Sequence, residues 1–194
     1  MEWDEINKLN KIRLYAGDIP VWRSNDNIIG ISINSSDNRH VKHDLREDIL
    51  LNDCSVDSFQ SEDVFEHIEL SKLPNIINEI YRILKYGGIF RLSTPDYNSP
   101  VMRQRAIYND DGIINGDTMG GGHLWFPVIN DIINIVDKTD FYVNYLQYWI
   151  DKDNFVFNKI DISIGKVQRT PDFDIRVKNI KQPLSIVVDM IKIL

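Results

Sequence analysis

A histidine in a glycine-rich stretch is the residue of this chain best suited to acid–base chemistry. His123 follows three consecutive glycines in the run GGGHLWF at Gly120–Phe126. A neutral imidazole titrates near neutral pH and can take the proton of a hydroxyl group, so His123 is our candidate for a catalytic general base. The alternative is a loop histidine that packs on Trp125, and the sequence leaves both interpretations open.

Further candidates follow two predicted strands. Asp96 comes directly after Pro95, where a strand ends, and it either contacts a substrate as a catalytic group or caps the loop behind the proline. Glu66 and His67 also follow a strand. Either His67 lines the substrate side of a pocket with its neighbour, or the pair fixes the turn, which is the more frequent role.

Arginine and aromatic side chains provide candidates for substrate binding. Arg103, with Arg105 close by, is suited to a phosphate or carboxylate group because a guanidinium binds such anions through two parallel hydrogen bonds. Trp125 is suited to stacking on a sugar ring. A solvated helix face for the arginines and core packing for the tryptophan are the more frequent alternatives.

The other metal-ligating and nucleophilic residues give no comparable signal. His40, His43 and the carboxylates near them lack the spacing of a metal site, so we expect no metal ion. Cys54 is the single cysteine and stands in no recognisable nucleophile motif, so we interpret it as a buried filler of the core.

The region around residues 71–96 must position several of these side chains. Apolar residues at helical spacing predict a helix over about Ser71–Lys85, which ends at a glycine pair led by Gly87. Strand-forming residues then predict a strand over Ile89–Ser93, which Pro95 ends. A helix that leads into a strand in this way is half of a parallel βαβ unit, whose ligands gather at the carboxyl ends of the strands.

Short apolar runs predict six more strands: Ile12–Ala16, Ile28–Ile33, His40–Lys42, Val56–Gln60, Phe141–Trp149 and Leu184–Ile193. Pro127 opens a second predicted helix. The stretch 97–126 is rich in Asn, Asp and Gly, and we interpret it as a functional loop or lid. The stretch 150–183 is interpreted as an insertion between the last two strands.

Length and charge limit the class of protein. The 194 residues suffice for one domain with a core, and we assign 1–194 to a single domain. A net charge of −7 and a pI near 5.1 argue against nucleic acid or an anionic membrane as a partner. No internal disulfide can form, and no run approaches the roughly 20 apolar residues of a membrane span. We therefore expect a cytoplasmic protein, monomeric or oligomeric.

Several of these positions together resemble a known family, the class I S-adenosylmethionine-dependent methyltransferases in their small methyltransferase-domain form. The resemblance rests on Asp44-Leu45, on the acidic run Asp53–Asp57, on Glu66-His67-Ile68, and on the pattern E-x-x-R-x-L-K-x-G-G within Glu79–Asp96. The run Gly120–Pro127 is similar to a loop and helix start of bacterial members associated with surface-glycan gene clusters.

The resemblance implies a fold and a cofactor. The fold is α/β, doubly wound and Rossmann-like, with a mostly parallel sheet, helices on both faces and an antiparallel final strand. The cofactor is S-adenosylmethionine, held mainly at the ends of the first strands. Carried onto this chain, the cofactor-binding positions are Tyr15, Ala16, Gly17, Asp18, Ser32, Asn34, Asp44, Leu45, Ser61 and Glu62.

Two departures from the family pattern make the cofactor motif degenerate. The loop Tyr15–Pro20 has one glycine where the family has several, and the acid expected at the end of the second strand falls on Ser32, with Asn34 two residues on. A hydroxyl or an amide in place of that carboxylate weakens binding by about 1–3 kcal/mol. This corresponds to roughly one to two orders of magnitude in affinity.

The predicted function is methyl transfer from S-adenosylmethionine to a hydroxyl or amine of a small molecule, such as a sugar or a surface-glycan precursor. The degenerate motif supports an alternative, a non-catalytic methyltransferase-like module that binds or scaffolds a partner without the cofactor. A nucleotide-sugar enzyme built on the same sheet is a third and weaker alternative.

Overall fold

The computed structural model describes all residues, 1–194, and contains four α-helices and ten strands, with three single-turn 3₁₀ helices between them. The helices are α1 (Trp3–Ile6), α2 (Leu73–Ile83), α3 (Pro100–Arg103) and α4 (Ile129–Val136). The strands are β1 (Arg13–Ala16), β2 (Ile29–Ser32), β3 (His40–Lys42), β4 (Val56–Glu62), β5 (Leu84–Pro95), β6 (Ala106–Tyr108), β7 (Ile114–Asp117), β8 (Phe141–Trp149), β9 (Phe155–Phe157) and β10 (Ser185–Lys192). None of the helices combines the length and the apolar composition that crossing a membrane requires.

Eight strands form one mixed sheet in the order β3-β2-β1-β4-β5-β10-β8-β9. Neighbours from β3 to β5 are parallel, whereas β10 runs antiparallel to both β5 and β8. The chain leaves β1 towards β2 and β3 and returns on the other side of β1 with β4, so the order reverses at β1. This confirms the predicted α/β fold with a mostly parallel sheet and an antiparallel final strand, and it places a crevice at the carboxyl ends of β1 and β4.

One face of the sheet carries the hydrophobic core. Strand neighbours in register, such as Leu14 beside Phe59 and Phe90 beside Met190, belong to one cluster of 31 buried residues. Helices α2 and α4 add their apolar stripes to this cluster. Each fully buried Leu, Ile or Phe stabilises the fold by about 1.5–3 kcal/mol, so this face holds the sheet together.

The opposite face of the sheet is polar. A row of residues in register crosses it, and its members are Gly30, Tyr15, Gln60, Arg91, Asp189 and Asn144. An irregular segment, residues 158–170, covers the row in place of the helices that the family resemblance implies. Helix carbonyls are already bonded within the helix, whereas those of an irregular segment are free to accept from polar side chains.

The covering segment is held by hydrogen bonds from the polar row. The Arg91 guanidinium donates to the carbonyls of Asp161 (2.7 Å) and Gly165 (2.6 Å), and Gln60 Nε2 donates to the carbonyl of Lys166 (2.6 Å). The buried guanidinium also forms two 2.7 Å bonds with the Asp189 carboxylate. Much of the predicted 150–183 insertion therefore serves as the second layer of the fold.

The structure corrects three details of the sequence interpretation. Helix α2 ends at Ile83, not Lys85, because Leu84 already pairs with Val56 of β4, and Gly87 (φ 76°) lies in the irregular start of β5. Cys54 is exposed and does not fill the core. The predicted loop 97–126 contains α3 and the hairpin β6–β7, which are too short for a periodic signal.

Candidate functional site

A cavity of about 300 Å³ lies at the carboxyl ends of the first strands. Asp63, Val64 and His67, from the turn after β4, line its other side. The predicted cofactor-binding residues that line the cavity are Gly17, Asp18, Ser32, Asn34, Asp44 and Leu45. A wider groove of about 580 Å³ is lined by residues between 159 and 173, none of them at a parallel strand end.

The loop after β1 is fixed although no helix follows it. Gly17 adopts a φ of 87°, which glycine accepts without strain, and its N–H donates to the Ile31 carbonyl of β2 at 2.7 Å. The Ile19 N–H is bonded to Nε2 of His40 at 3.0 Å. A side chain at Gly30 would collide with the His40 ring and the Gly17 carbonyl. One glycine in the loop and one in β2 therefore allow the loop after β1 to lie directly against β2 and the His40 ring.

Ser32, at the position of the expected acid, is used within its own turn. Its hydroxyl oxygen accepts hydrogen bonds from the N–H groups of Asn34 (3.0 Å) and Ser35 (3.1 Å). The nearby side-chain hydroxyl groups of Ser35 and Ser32 lower the pKa of Asp18. The carboxylate on this rim of the cavity thus belongs to Asp18, from the loop after β1.

Asp44 and Leu45 form another part of the cavity wall. Arg46 binds the Asp44 carboxylate through both oxygens, with Nη2 at 2.6 Å from Oδ2, and these bonds lower the pKa of Asp44. Leu45 is buried and belongs to the hydrophobic core. Arg46 thus binds the carboxylate of an aspartate that the resemblance assigns to cofactor binding.

Four of the predicted cofactor-binding residues do not line the cavity. Ala16 is part of the core, and Ser61 is fully buried with no partner for its hydroxyl. Tyr15 lies on the polar face beneath the Arg23 guanidinium, 5.1 Å from the ring centroid. Glu62 is buried and accepts from the Gln168 N–H at 2.5 Å. Burial and the neighbouring Asp63 charge raise the pKa of Glu62 to about 7.

A polar cluster of Glu66, His67 and His123 adjoins the cavity at His67. The His67 and His123 rings pack edge to face with centroids 4.9 Å apart, and His123 Nε2 lies 3.9 Å from Glu66 Oε1. Glu66 is fully buried; Oε2 accepts from the Thr94 hydroxyl (3.3 Å), whereas Oε1 has no partner. Burial and the charge of Asp63 raise the pKa of Glu66 to about 8.

Three residues of the stretch 97–126 orient His123. Its Nδ1 lies 2.8 Å from the Tyr97 hydroxyl, which donates to Asp117 Oδ2 at 2.5 Å. Arg105 forms an ion pair with the same carboxylate at 2.9 Å. Burial lowers the pKa of His123 to about 4, so its imidazole is neutral at pH 7. His123 contacts His67, Tyr97 and Phe126, so the predicted packing on Trp125 is not what the structure shows.

The glycine-rich run is docked on the turn after β4. The Leu124 N–H donates to the Glu66 carbonyl at 2.8 Å, and His67 Nδ1 lies 3.2 Å from the Gly122 carbonyl. The Trp125 indole is buried and donates to the Phe65 carbonyl at 3.0 Å. Trp125 therefore anchors the run to the core, whereas His67 lines the cavity.

Asp96 and Arg103 lie elsewhere. Asp96 is fully buried, and its two oxygens accept from the N–H groups of Trp149 (2.6 Å) and Asn98 (3.0 Å). Burial raises the pKa of Asp96 to about 7. Arg103 is exposed on α3, with its guanidinium 5.7 Å from the Tyr108 ring centroid. Neither residue lines the cavity.

Three residues were not predicted from the sequence. Tyr97 and Asp117 orient His123, and Arg46 binds the Asp44 carboxylate. Tyr97 follows the strand-ending Pro95-Asp96 pair directly, and that adjacency was the one signal for it. Asp117 lies in the short hairpin, where no periodicity marks an inward-facing side chain.

Comparison with known proteins agrees with this architecture. Residues 25–92 match the model of a methyltransferase domain, and no curated protein matches the chain. An S-adenosylmethionine-dependent methyltransferase from Archaeoglobus fulgidus is similar in structure, with a TM-score of 0.59, 14% identity and coverage of 98% of this chain and 90% of that one. A second S-adenosylmethionine-dependent methyltransferase, from Mesorhizobium loti, is also similar, with a TM-score of 0.57 and 15% identity. The match covers 93% of this chain and 90% of that one.

A third similar structure is the geranyl diphosphate C-methyltransferase from Streptomyces coelicolor, in complex with Mg²⁺, geranyl diphosphate and S-adenosyl-L-homocysteine. Its TM-score is 0.56 at 9% identity, with coverage of 98% of this chain and 76% of that one. Identities this low establish the fold alone. The chain has the class I S-adenosylmethionine-dependent methyltransferase fold, which confirms the resemblance predicted from its sequence.

Proposed function

We propose that this protein transfers the methyl group of S-adenosylmethionine to a small-molecule acceptor. The observation that carries the proposal is the cavity at the strand ends, where six predicted cofactor-binding residues meet. Its volume of about 300 Å³ lies at the lower end of the range for small-molecule sites. We place the cofactor there and the acceptor on the His67 side.

The residues of the cavity fit a cationic ligand with ribose hydroxyls. Asp18 brings an ionised carboxylate to the wall, and carboxylates favour a sulfonium ion and an ammonium group. Asp18, with its lowered pKa, is ionised at neutral pH and can accept hydrogen bonds from two hydroxyl groups. The Gly17 backbone allows the ligand to approach the end of β1 closely.

We assign activation of the acceptor to the Glu66, His67 and His123 cluster. It contains a buried carboxylate oxygen without a partner and a neutral imidazole, next to a residue that lines the cavity. In this proposal His123 remains a catalytic residue, and the acceptor is a hydroxyl or amine, such as that of a sugar or glycan precursor. Methyl transfer needs mainly in-line positioning of donor and acceptor, so few groups are required.

Calorimetric titration of the protein with S-adenosylmethionine and S-adenosylhomocysteine tests the proposal. We expect saturable binding of both, followed by transfer of a labelled methyl group to one member of a panel of sugars, phenols and amines. An absence of binding heat at roughly millimolar ligand would contradict the proposal. It would limit the binding free energy to about 4 kcal/mol or less.

A second candidate, a binding module without methyl-transfer activity, is favoured by one observation. Ser32 and Asp44 stand at two positions predicted to hold the cofactor. The Ser32 hydroxyl instead bonds to the N–H groups of Asn34 and Ser35, and the Asp44 carboxylate bonds to Arg46. Thermal-shift measurements with the methyl donor, its demethylated product and nucleotide sugars separate the alternatives, because a ligand that binds only the folded state raises the melting temperature.

A further inference from the structure

The Tyr97 contacts fix which nitrogen of His123 carries a proton. Tyr97 has one hydroxyl proton and two neighbours: Asp117 Oδ2 at 2.5 Å and His123 Nδ1 at 2.8 Å. The proton lies towards the carboxylate, because the charge-assisted bond is the shorter and stronger of the two. The Tyr97 oxygen therefore accepts from Nδ1–H of His123, and Nε2 of the neutral ring carries a lone pair.

This lone pair faces another acceptor. Nε2 lies 3.9 Å from Glu66 Oε1, a buried oxygen with no hydrogen-bond partner. A proton on Glu66 would not join the two atoms by a hydrogen bond, because 3.9 Å exceeds the usual donor–acceptor distance. A positive group placed between these two buried acceptors would satisfy both of them.

His67 adds a third lone pair. Its Nδ1 lies 3.2 Å from the Gly122 carbonyl, an acceptor, so this nitrogen carries the proton and Nε2 is free. In both histidines the Nδ1–H is thus held by an acceptor and Nε2 is left for a ligand. Metal-binding histidines show this arrangement, because the second hydrogen bond fixes the tautomer and the ring orientation.

We propose that Glu66, His67 and His123 bind one divalent transition-metal ion at the edge of the cavity. Their ligand atoms lie within 4.8 Å of one another, which small side-chain shifts bring to the roughly 2.0–2.2 Å bonds of zinc. Two imidazoles and one carboxylate form a donor set of catalytic zinc and non-haem iron sites, with a coordination position left open. This proposal revises the expectation of no metal, which considered only His40 and His43.

The role of the ion rests on the proposed methyl transfer. The open position takes the oxygen of an acceptor hydroxyl, and the ion lowers the pKa of that hydroxyl so that its proton leaves to bulk water. The oxygen lone pair then forms a bond to the methyl carbon. The carbon–sulfur bond breaks with its electron pair on sulfur, which leaves neutral S-adenosylhomocysteine.

Metal titration of tag-free protein, dialysed against EDTA and then freed of it, tests the site without the cofactor. In calorimetry we expect the protein to bind one equivalent of Zn²⁺. We also expect it to bind one equivalent of Co²⁺, which absorbs visible light and competes with Zn²⁺ for the site. Glu66→Gln, His67→Ala and His123→Ala should each lower the affinity at least tenfold. Tyr97→Phe, which removes the acceptor for Nδ1–H, should lower it about 10- to 100-fold.

Cys54→Ser is the matched control, since Cys54 is the exposed thiol most able to bind these ions by chance. Its affinity should equal that of the unsubstituted protein, and circular dichroism in EDTA should show each variant folded. No uptake of either ion by the folded protein, or uptake unchanged in Glu66→Gln and His123→Ala, overturns the site. Metal uptake without cofactor binding would instead contradict the proposed function and leave the site standing.

Discussion

Asp18 and Ser32 meet at the cavity rim from the ends of neighbouring strands and divide two roles between them. Ser32 holds the turn after β2 by accepting from the N–H groups of Asn34 and Ser35, and the hydroxyl groups of Ser35 and Ser32 lower the pKa of Asp18. A carboxylate at this rim of the cavity thus comes from the loop after β1 and not from the end of β2. The cofactor motif is degenerate in the sequence, but the cavity at the strand ends still contains the Asp18 carboxylate.

Asp18→Asn should weaken binding of S-adenosylmethionine. The variant keeps the size of the side chain and one acceptor for the serine hydroxyls, but it removes the charge. Hydrogen bonds to charged groups contribute about 1.5–3 kcal/mol, so the dissociation constant measured by calorimetry should rise by about 10- to 100-fold. Asp110→Asn, the same change at an exposed loop position, should bind as the unsubstituted protein does. Equal affinity of both variants would show that Asp18 does not hold the cofactor.

The sequence marked parts of the polar cluster but not the cluster itself. Glu66 and His67 stood out because they follow a predicted strand, and His123 stood out among glycines. Their meeting depends on the glycine-rich run docking through Leu124 and Trp125 onto the turn after β4. Such a tertiary contact leaves no periodic pattern in the sequence, so it could not be predicted from residue spacing.

At the scale of elements, the irregular second layer follows from the polar row beneath it. The row offers guanidinium and amide donors, and the covering segment supplies carbonyls from Asp161, Gly165 and Lys166. Because the segment takes its shape from these bonds, it has no apolar period of its own. This is why residues 150–183 could be recognised only as an insertion, whereas the strands and α2 were predicted from their apolar spacing.

Gly165→Ala should detach this layer locally. The added methyl group would collide with the Gln60 amide, which is held by Arg23 and by the Lys166 carbonyl. Overpacking of this kind costs about 1–3 kcal/mol, and chemical denaturation should show a fall of that size in the free energy of unfolding. Gly116→Ala is the matched control, because its methyl group meets only the exposed side chain of Ile107, at 3.2 Å. Equal stability of the two variants would mean that the segment does not depend on close packing at Gly165.

Arg91→Ala should destabilise the protein more than Asp189→Ala does. Removing the arginine leaves a carboxylate and two carbonyls without their donor, whereas removing the aspartate leaves the guanidinium bonded to both carbonyls. Loss of one partner of a buried ion pair costs about 3–5 kcal/mol, and we expect Arg91→Ala at the upper end of this range in urea unfolding. The reverse order would show that the carbonyl contacts contribute little.

For the molecule as a whole, the buried carboxyl groups set the dependence of stability on pH. Burial raises the pKa of Glu62 and of Asp96 to about 7 and that of Glu66 to about 8, well above the values of unfolded chains. A folded state with raised pKa values binds more protons than the unfolded state, so its stability falls as the pH rises through them. His123 acts in the opposite sense, since its pKa is lowered to about 4, but most of this contribution is in place by about pH 6.5, the ordinary pKa of an unfolded histidine.

The melting temperature should therefore fall between about pH 6.5 and pH 8 at constant ionic strength in EDTA. Glu62 and Asp96 each contribute a loss of roughly 1 kcal/mol over this interval, and Glu66 adds to it. A loss of about 1 kcal/mol corresponds to about 2–4 °C in a chain of this length. Glu62→Gln should flatten the slope of melting temperature against pH. Its amide keeps the acceptor for the Gln168 N–H, and its NH₂ group replaces the oxygen that has no partner, so the fold is retained. Asp110→Asn should leave the slope unchanged, and a melting temperature that stays level or rises in the unsubstituted protein would contradict the assignment of buried, neutral carboxyl groups.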